Sequence, residues 1–135
     1  VEVHGSLETM TCGSCYQNYL SESYVEEYLD QGSIPRCRDC GGVLKPDIIL
    51  FGEQLPIKPW LRALEWSGQC DVMIVAGSSL EVLPVASLPM RALENGAHLI
   101  VVNKSGTYID VRADVVIHDL VEAIVPLIVQ EVLGG

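Results

Sequence analysis

The chain has 135 residues, with 8 Lys and Arg against 18 Asp and Glu and a formal net charge of −10 at pH 7. That length fits one ordinary domain. The charge argues against a binder of nucleic-acid phosphates, whose affinity comes from Lys and Arg, and favours a basic partner such as a Lys-rich peptide, although acidity also serves solubility in any domain. With 49% hydrophobic residues the composition is that of a folded, aliphatic-rich protein. Apolar runs such as 47–51 and 72–76 fall far short of the ~20 residues that cross a bilayer, so no membrane span is expected, nor a signal peptide.

Residues 1–4, Val-Glu-Val-His, read as a strand already in progress, and with Val at position 1 they suggest a fragment. Four cysteines follow as Cys12-Gly13-Ser14-Cys15 and Cys37-Arg38-Asp39-Cys40. Two residues between cysteines let a tight knuckle aim both sulfurs at one point, and two knuckles supply the four thiolates of a tetrahedral structural zinc. Paired disulfides are the alternative, disfavoured because adjacent C-x2-C pairs seldom form staples. With four sulfur ligands no position is open to water or substrate, so the metal is expected to hold the fold and to do no chemistry. Between the pairs, Tyr24, Val25, Tyr28 and Leu29 show helical spacing over 21–29, ended by Gly32. Cys70, left over at a helix-strand junction, is expected to be a buried, inert thiol.

Near Lys45-Pro46 the pattern changes to strand, helix, strand, helix. Residues 71–76, 98–102 and 114–117 are short β-branched runs without polar alternation, as in parallel strands covered on both faces. Residues 59–67, with Trp60, Leu61 and Leu64, and 84–95, with Val85, Leu88 and Ala92 before Gly96, read as crossover helices. The last helix spans 119–133, starting at an Asp119 cap and ending at Gly134, with Pro126 able to kink it. Alternating strands and helices predict an α/β fold: part of a Rossmann-like doubly wound parallel sheet, with ligands at the carboxyl ends of the strands, plus the small zinc module. The expected division is 1–6 as a strand end of the nucleotide domain, 7–46 as the zinc module and 47–135 as the C-terminal part of the nucleotide domain.

Val3-His4-Gly5-Ser6, the two cysteine pairs, Lys45-Pro46-Asp47-Ile48-Ile49-Leu50-Phe51-Gly52-Glu53, the run Ala76-Gly77-Ser78-Ser79-Leu80-Glu81-Val82 and Val101-Val102-Asn103 together resemble sirtuins, NAD-dependent protein lysine deacylases, in identity, order and spacing. The match runs over essentially the whole chain. The Gly77-Ser78-Ser79 turn alone would pass for an ordinary strand-to-helix turn, and Asn103 for a turn residue; the resemblance implies that Gly77, Ser78 and Ser79 face the NAD ribose and phosphates and that Asn103 meets the adenosine ribose. It likewise implies that Phe51, Gly52 and Glu53, with Glu81, Val82 and Leu83, sandwich an extended acyl-lysine peptide by strand addition. Without it, Phe51 would be read as core and Glu53 as solvated surface. After the last strand sirtuins commonly have Gly, whereas this chain has Ile117-His118-Asp119-Leu120.

Sirtuin chemistry, in which the acyl oxygen attacks the nicotinamide ribose and a His acts as general base, also needs a Gly-Ala-Gly loop, a Gln-Asn-x-Asp segment and that His, none of which is present. His4 matches a later, structural His-Gly. The catalytic base is therefore expected upstream of Val1, in a missing N-terminal half that would be a partner of this chain, and the expected location is the cytoplasm. The competing expectation is a noncatalytic zinc-stabilised module binding an acyl-lysine peptide or an ADP-ribose-like ligand; a zinc-ribbon nucleic-acid protein is disfavoured by charge. The family's strand order further predicts that the strands at 71–76, 98–102 and 114–117 are parallel and adjacent, with 1–4 unpaired with them and 71–76 an open, hydrophobic edge.

Overall fold

A computed structural model describes residues 1–134. The chain divides into two compact units, Val1–Pro59 and Trp60–Gly135. In the first, β1 (Gly5–Cys12) lies between β2 (Asn18–Leu20) and β3 (Leu44–Ile48), antiparallel to both. Residues 1–4 do not form the strand expected of them. They enter a turn in which the Gly5 N–H donates to the Glu2 carbonyl at 3.3 Å, and the strand begins at Gly5. The helix α1 (Glu22–Gln31) ends at Gly32, whose left-handed backbone (φ 67°) returns its N–H to the Tyr28 carbonyl. The core of this unit is small: Met10, Tyr24 and Leu44 with the thiols of Cys12 and Cys37. So little apolar mass cannot by itself offset chain entropy, which is the situation in which small modules rely on a metal. The change of periodicity at Lys45-Pro46 falls inside β3.

The second unit is a three-stranded parallel sheet in the order β4 (Val72–Ala76), β5 (His98–Val102), β6 (Val115–Ile117). The three runs are parallel and adjacent as their composition and the family's order predict. Val75, Leu99 and Val101 pack with Ile109 and with Met90 and Leu93 of α3 (Leu88–Glu94), and α4 (Val121–Leu133) also lies against β5. The central strand is the best covered, with Leu99, Val101 and Val102 buried and His98 exposed at its start. On β4, Val72 and Ile74 remain 49% and 48% exposed, and Val115 and Val116 of β6 are also accessible. The expectation of strands covered on both faces therefore holds for β5 and not for its neighbours, because within this unit the outer strands lack a second covering layer.

Helix boundaries shift for identifiable reasons. The first crossover helix, α2 (Ile57–Ser67), starts two residues early because Pro59 is tolerated in a first turn, where its missing N–H costs nothing. The second splits into a 3-10 turn, Val85–Ser87, and α3, with Pro89 at the junction. The last begins at Val121 with Leu120 as its cap residue; Asp119 instead accepts the Leu120 N–H at 2.7 Å. It continues through Pro126 to Leu133. Among the described residues no helix is long and apolar enough to cross a membrane.

Candidate metal centre and nucleotide-binding turn

Both cysteine pairs sit at hairpin tips of the same construction. The Cys12 N–H donates to the Gln17 carbonyl at 2.9 Å and the Cys37 N–H to the Gly42 carbonyl at 2.8 Å. The residue after each second cysteine is left-handed, Tyr16 at φ 61° and Gly41 at φ 73°, and turns its N–H back to the carbonyl of the first cysteine. Cys12 and Cys37 are buried, while Cys15 and Cys40 are exposed. The two tips bring all four sulfurs within 4.8 Å of one another, with Cys12–Cys40 and Cys15–Cys37 each at 3.5 Å. A tetrahedron with Zn–S bonds of about 2.3 Å has edges of about 3.8 Å; four sulfurs at these separations, all free thiols, are placed to bind a zinc ion.

The protonation chemistry points the same way. The Tyr19 hydroxyl stands 3.1 Å from Cys37 Sγ and 2.8 Å from Asp39 Oδ2, and its hydrogen bond to the sulfur draws the Cys37 thiol down to about 6. Cys15 accepts help from the Gln17 N–H, yet its neighbours Cys40, Cys37 and Cys12 push it up to about 12. Four thiolates this close cannot all ionise without a cation between them. Tyr19 is a residue that sequence spacing alone does not single out; it orients a sulfur from outside the ligand set, as outer partners of metal sites do. Cys70 stays apart from the cluster and is half-buried, not buried, with its sulfur 3.7 Å from the Ser67 carbonyl.

Beyond β3, residues 50–53 form a tight turn in which the Glu53 N–H donates to the Leu50 carbonyl and Gly52 takes φ 90°. Glu53 is more than solvated surface. Its carboxylate accepts the Leu50 N–H at 2.9 Å and pairs with Lys45 Nζ at 3.0 Å, and these two contacts hold it below the usual carboxylate range. Phe51 is 95% exposed at the tip, far from the core position its residue type alone suggests.

In the second unit the carboxyl ends of β4, β5 and β6 lie at one end of the parallel sheet. Gly77 leaves β4 at φ 60°, with its N–H on the Val102 carbonyl at 3.0 Å, so the turn starts beside Asn103. A Cβ at Gly77 would stand 3.3 Å from Val121 Cγ2, tighter than most real contacts. Leu80, also left-handed at φ 54°, donates its N–H to Ser78 Oγ at 3.3 Å. Among the described residues the N–H groups of Ser78 and Ser79 have no partner within the chain. Two free amides after a left-handed Gly, at the end of a parallel strand, are the donor set that a phosphate or ribose oxygen needs.

Asn103 is buried; its Nδ2 donates to the Ser105 carbonyl at 2.7 Å and its N–H to the Ile117 carbonyl at 3.1 Å. His118 Nδ1 stands 3.1 Å from the Asn103 carbonyl, and its Nε2 is 3.5 Å from Asp110 Oδ2. Glu81, Val82 and Leu83 continue the loop from Gly77, all exposed. Phe51, Gly52 and Glu53 belong to the first unit, Glu81, Val82 and Leu83 to the second.

The family model for the Sir2 family matches residues 1–84, more than half of the chain. The chain is a member of the Sir2 family. Relatives of this Sir2 chain include an "NAD-dependent protein deacylase 2" of Archaeoglobus fulgidus, 41% identical over 133 residues covering 98% of the chain and 52% of the relative. Another is an "NAD-dependent protein deacetylase" of Oceanobacillus iheyensis, 45% identical over 119 residues covering 87% and 47%. Among solved structures, "Sir2-p53 peptide-NAD+" superposes with a TM-score of 0.88 at 32% identity, covering 98% of this chain and 55% of that one. "Structural Basis for the Mechanism and Regulation of Sir2 Enzymes" gives 0.86 at 41% identity, covering 98% and 54%, and "Structure of Sir2Tm bound to a propionylated peptide" gives 0.87 at 32%, covering 98% and 55%. The chain spans about half the length of the relatives it matches. Its α/β fold, with a parallel sheet and a cysteine module, is that of Sir2 enzymes.

Proposed function

We propose that this chain supplies the zinc module, peptide-binding loops and adenosine side of the nucleotide site of an NAD-dependent protein deacylase. The observation that carries the reading is the pair of unpartnered Ser78 and Ser79 amides beside Asn103, at the carboxyl end of β4, in a chain of the Sir2 family. NAD, when bound, supplies the ribose carbon that takes the acyl oxygen. Gly77 keeps the turn open to close approach, Ser78 and Ser79 bind phosphate or ribose oxygens through backbone and hydroxyl donors, and Asn103 orients the adenosine ribose. The exposed backbone of residues 51–53 offers main-chain groups to an acylated peptide, and so, in the other unit, does that of residues 81–83; recognition through main-chain bonds tolerates varied sequence. The thiol-rich zinc site suits a reducing compartment, in keeping with a cytoplasmic location.

None of the chain's three histidines is proposed as the general base. His98 pairs with Asp114 and His118 with Asp110, and the His4 carbonyl is bonded to the Ile49 N–H. The base is proposed to come from outside residues 1–135. Mass spectrometry of an acetyl-lysine peptide incubated with NAD and the purified chain tests this: the peptide is expected to keep its acetyl group. Turnover by the homogeneous chain would mean that one of these three histidines serves as base and that their assignment is wrong.

A further inference from the structure

Lys45 of β3 is tied to the turn at residues 50–53. An ammonium has three N–H donors; this one stands 2.8 Å from the Ile48 carbonyl, at the end of β3, and 3.0 Å from Glu53 Oε2. The same carboxylate oxygen accepts the Leu50 N–H at 2.9 Å, and the Glu53 N–H returns to the Leu50 carbonyl at 3.0 Å. A chain of polar contacts therefore runs from the end of the strand through Lys45 and Glu53 to the backbone that opens the turn. Apolar packing contributes little there, because Leu50 is half exposed and Phe51 almost wholly so. Asp47, two residues on and on the same face of β3, is engaged across the sheet by the Thr9 hydroxyl at 2.6 Å and by Asn18 Nδ2 at 2.7 Å, which leaves Glu53 as the ion-pair partner of Lys45.

We propose that Lys45 is a positioning residue for the peptide loop: acting through Glu53, it fixes the backbone of residues 50–53 in the form that meets an acylated peptide. This rests on the reading of residues 51–53 as peptide-binding. An exposed ion pair by itself contributes little, and the side chains of Lys45 and Glu53 are 45% and 38% exposed. What sets this pair apart is where its ends are attached. Removing the ammonium cuts the tie between strand and turn and leaves the Leu50 amide bonded to a carboxylate no longer held to the strand. The loop presents main-chain groups to its ligand, so lost backbone order is lost binding form. Lys45 acts without touching the peptide.

The test is water-exchange NMR of the 15N-labelled, zinc-loaded chain, together with binding of an acetyl-lysine peptide of zero net charge, chosen so that a change in the chain's field does not alter affinity. In Lys45→Met the Leu50 amide is expected to exchange about fivefold faster, the upper end for a single exposed pair, while the amides of β1 keep their rates. The peptide is expected to bind about threefold more weakly, less than the exchange factor because affinity falls only with the fraction of loop still in its binding form. Lys45→Arg is expected to restore both. Glu53→Gln, outside the strand, carries the same expectation should Lys45→Met disturb β1, and Lys45→Met added to it is expected to do little more, since the pair is already broken. A Leu50 rate unchanged in both single variants, effects that add in full in the double variant, or a peptide affinity that holds while Leu50 exchange rises would overturn the proposal. The expected exchange rates with no peptide bound by the parent chain would uphold the tie between Lys45 and the turn and remove the peptide reading instead.

Discussion

At the scale of single residues, the zinc tips show which positions tolerate a side chain. A Cβ on Gly42 would lie 2.7 Å from Ser14 Oγ and 2.9 Å from Cys12 Sγ, so the second tip has to shift a ligand to accommodate it. Gly42→Ala is expected to weaken zinc binding at least tenfold, measured by competition with a chromophoric chelator. Tyr16 runs the other way. It is exposed and left-handed where the matching position of the other tip is Gly41, and a non-Gly residue there costs about 1–2 kcal/mol. Tyr16→Gly is expected to raise the stability of the zinc unit by about 1 kcal/mol in urea unfolding of the zinc-loaded chain; unchanged or lower stability would show that the ring makes a compensating contact.

Asp114 carries a pH prediction. Its carboxylate accepts the Leu99 N–H at 2.7 Å and faces His98 at 3.4 Å, and these contacts hold its pKa below the ordinary value. A depressed folded-state pKa means that the unfolded chain binds the proton first as pH falls. The contribution is therefore present in full above the ordinary carboxylate pKa of about 4 and lost as pH drops through the lower folded value. Trp60 and Trp66 both lie in the second unit, so their fluorescence reports its unfolding. The urea midpoint is expected to fall below pH 4 in the parent chain and to fall less steeply in Asp114→Asn.

At the scale of elements, the sequence spoke clearly where burial is strong and poorly where it is not. β4 and β5 are short runs rich in Val and Ile without polar alternation, and their reading needed no tertiary information. β1 and β3 were hidden: β1 mixes Ser, Glu and Thr with apolar residues, and β3 carries Pro46, which argues against a strand except at a sheet edge. β3 is such an edge, and Pro46 stands opposite Met10. The four metal ligands were legible because their spacing is itself the geometric requirement, whereas Tyr19, Asp110 and His118 join their sites through folding contacts that no local pattern encodes. The module at 11–43 is held by its cysteines more than by its core, so one zinc per chain is expected by metal analysis, and a strong chelator is expected to abolish its circular-dichroism and tyrosine signals. A metal-free chain with that module still folded would contradict the assignment.

At the scale of the whole molecule, the open edge of β4 is the exposed liability. Its outer hydrogen-bonding side has no strand partner among the described residues, and Val72 and Ile74 are half exposed. Such edges template association. Sedimentation velocity is expected to show concentration-dependent oligomers of the chain, and Ile74→Lys, a charge on that strand, is expected to shift the population toward monomer. The carboxyl end of β4 and β5 is proposed to carry the adenosine side of an NAD site. It is tested most directly by titrating ADP-ribose into the 15N-labelled, zinc-loaded chain at pH 6. Saturable shifts confined to Gly77, Ser78, Ser79, Asn103 and their neighbours in the second unit are expected; shifts at other residues with these silent, or none at millimolar ligand, would contradict that placement.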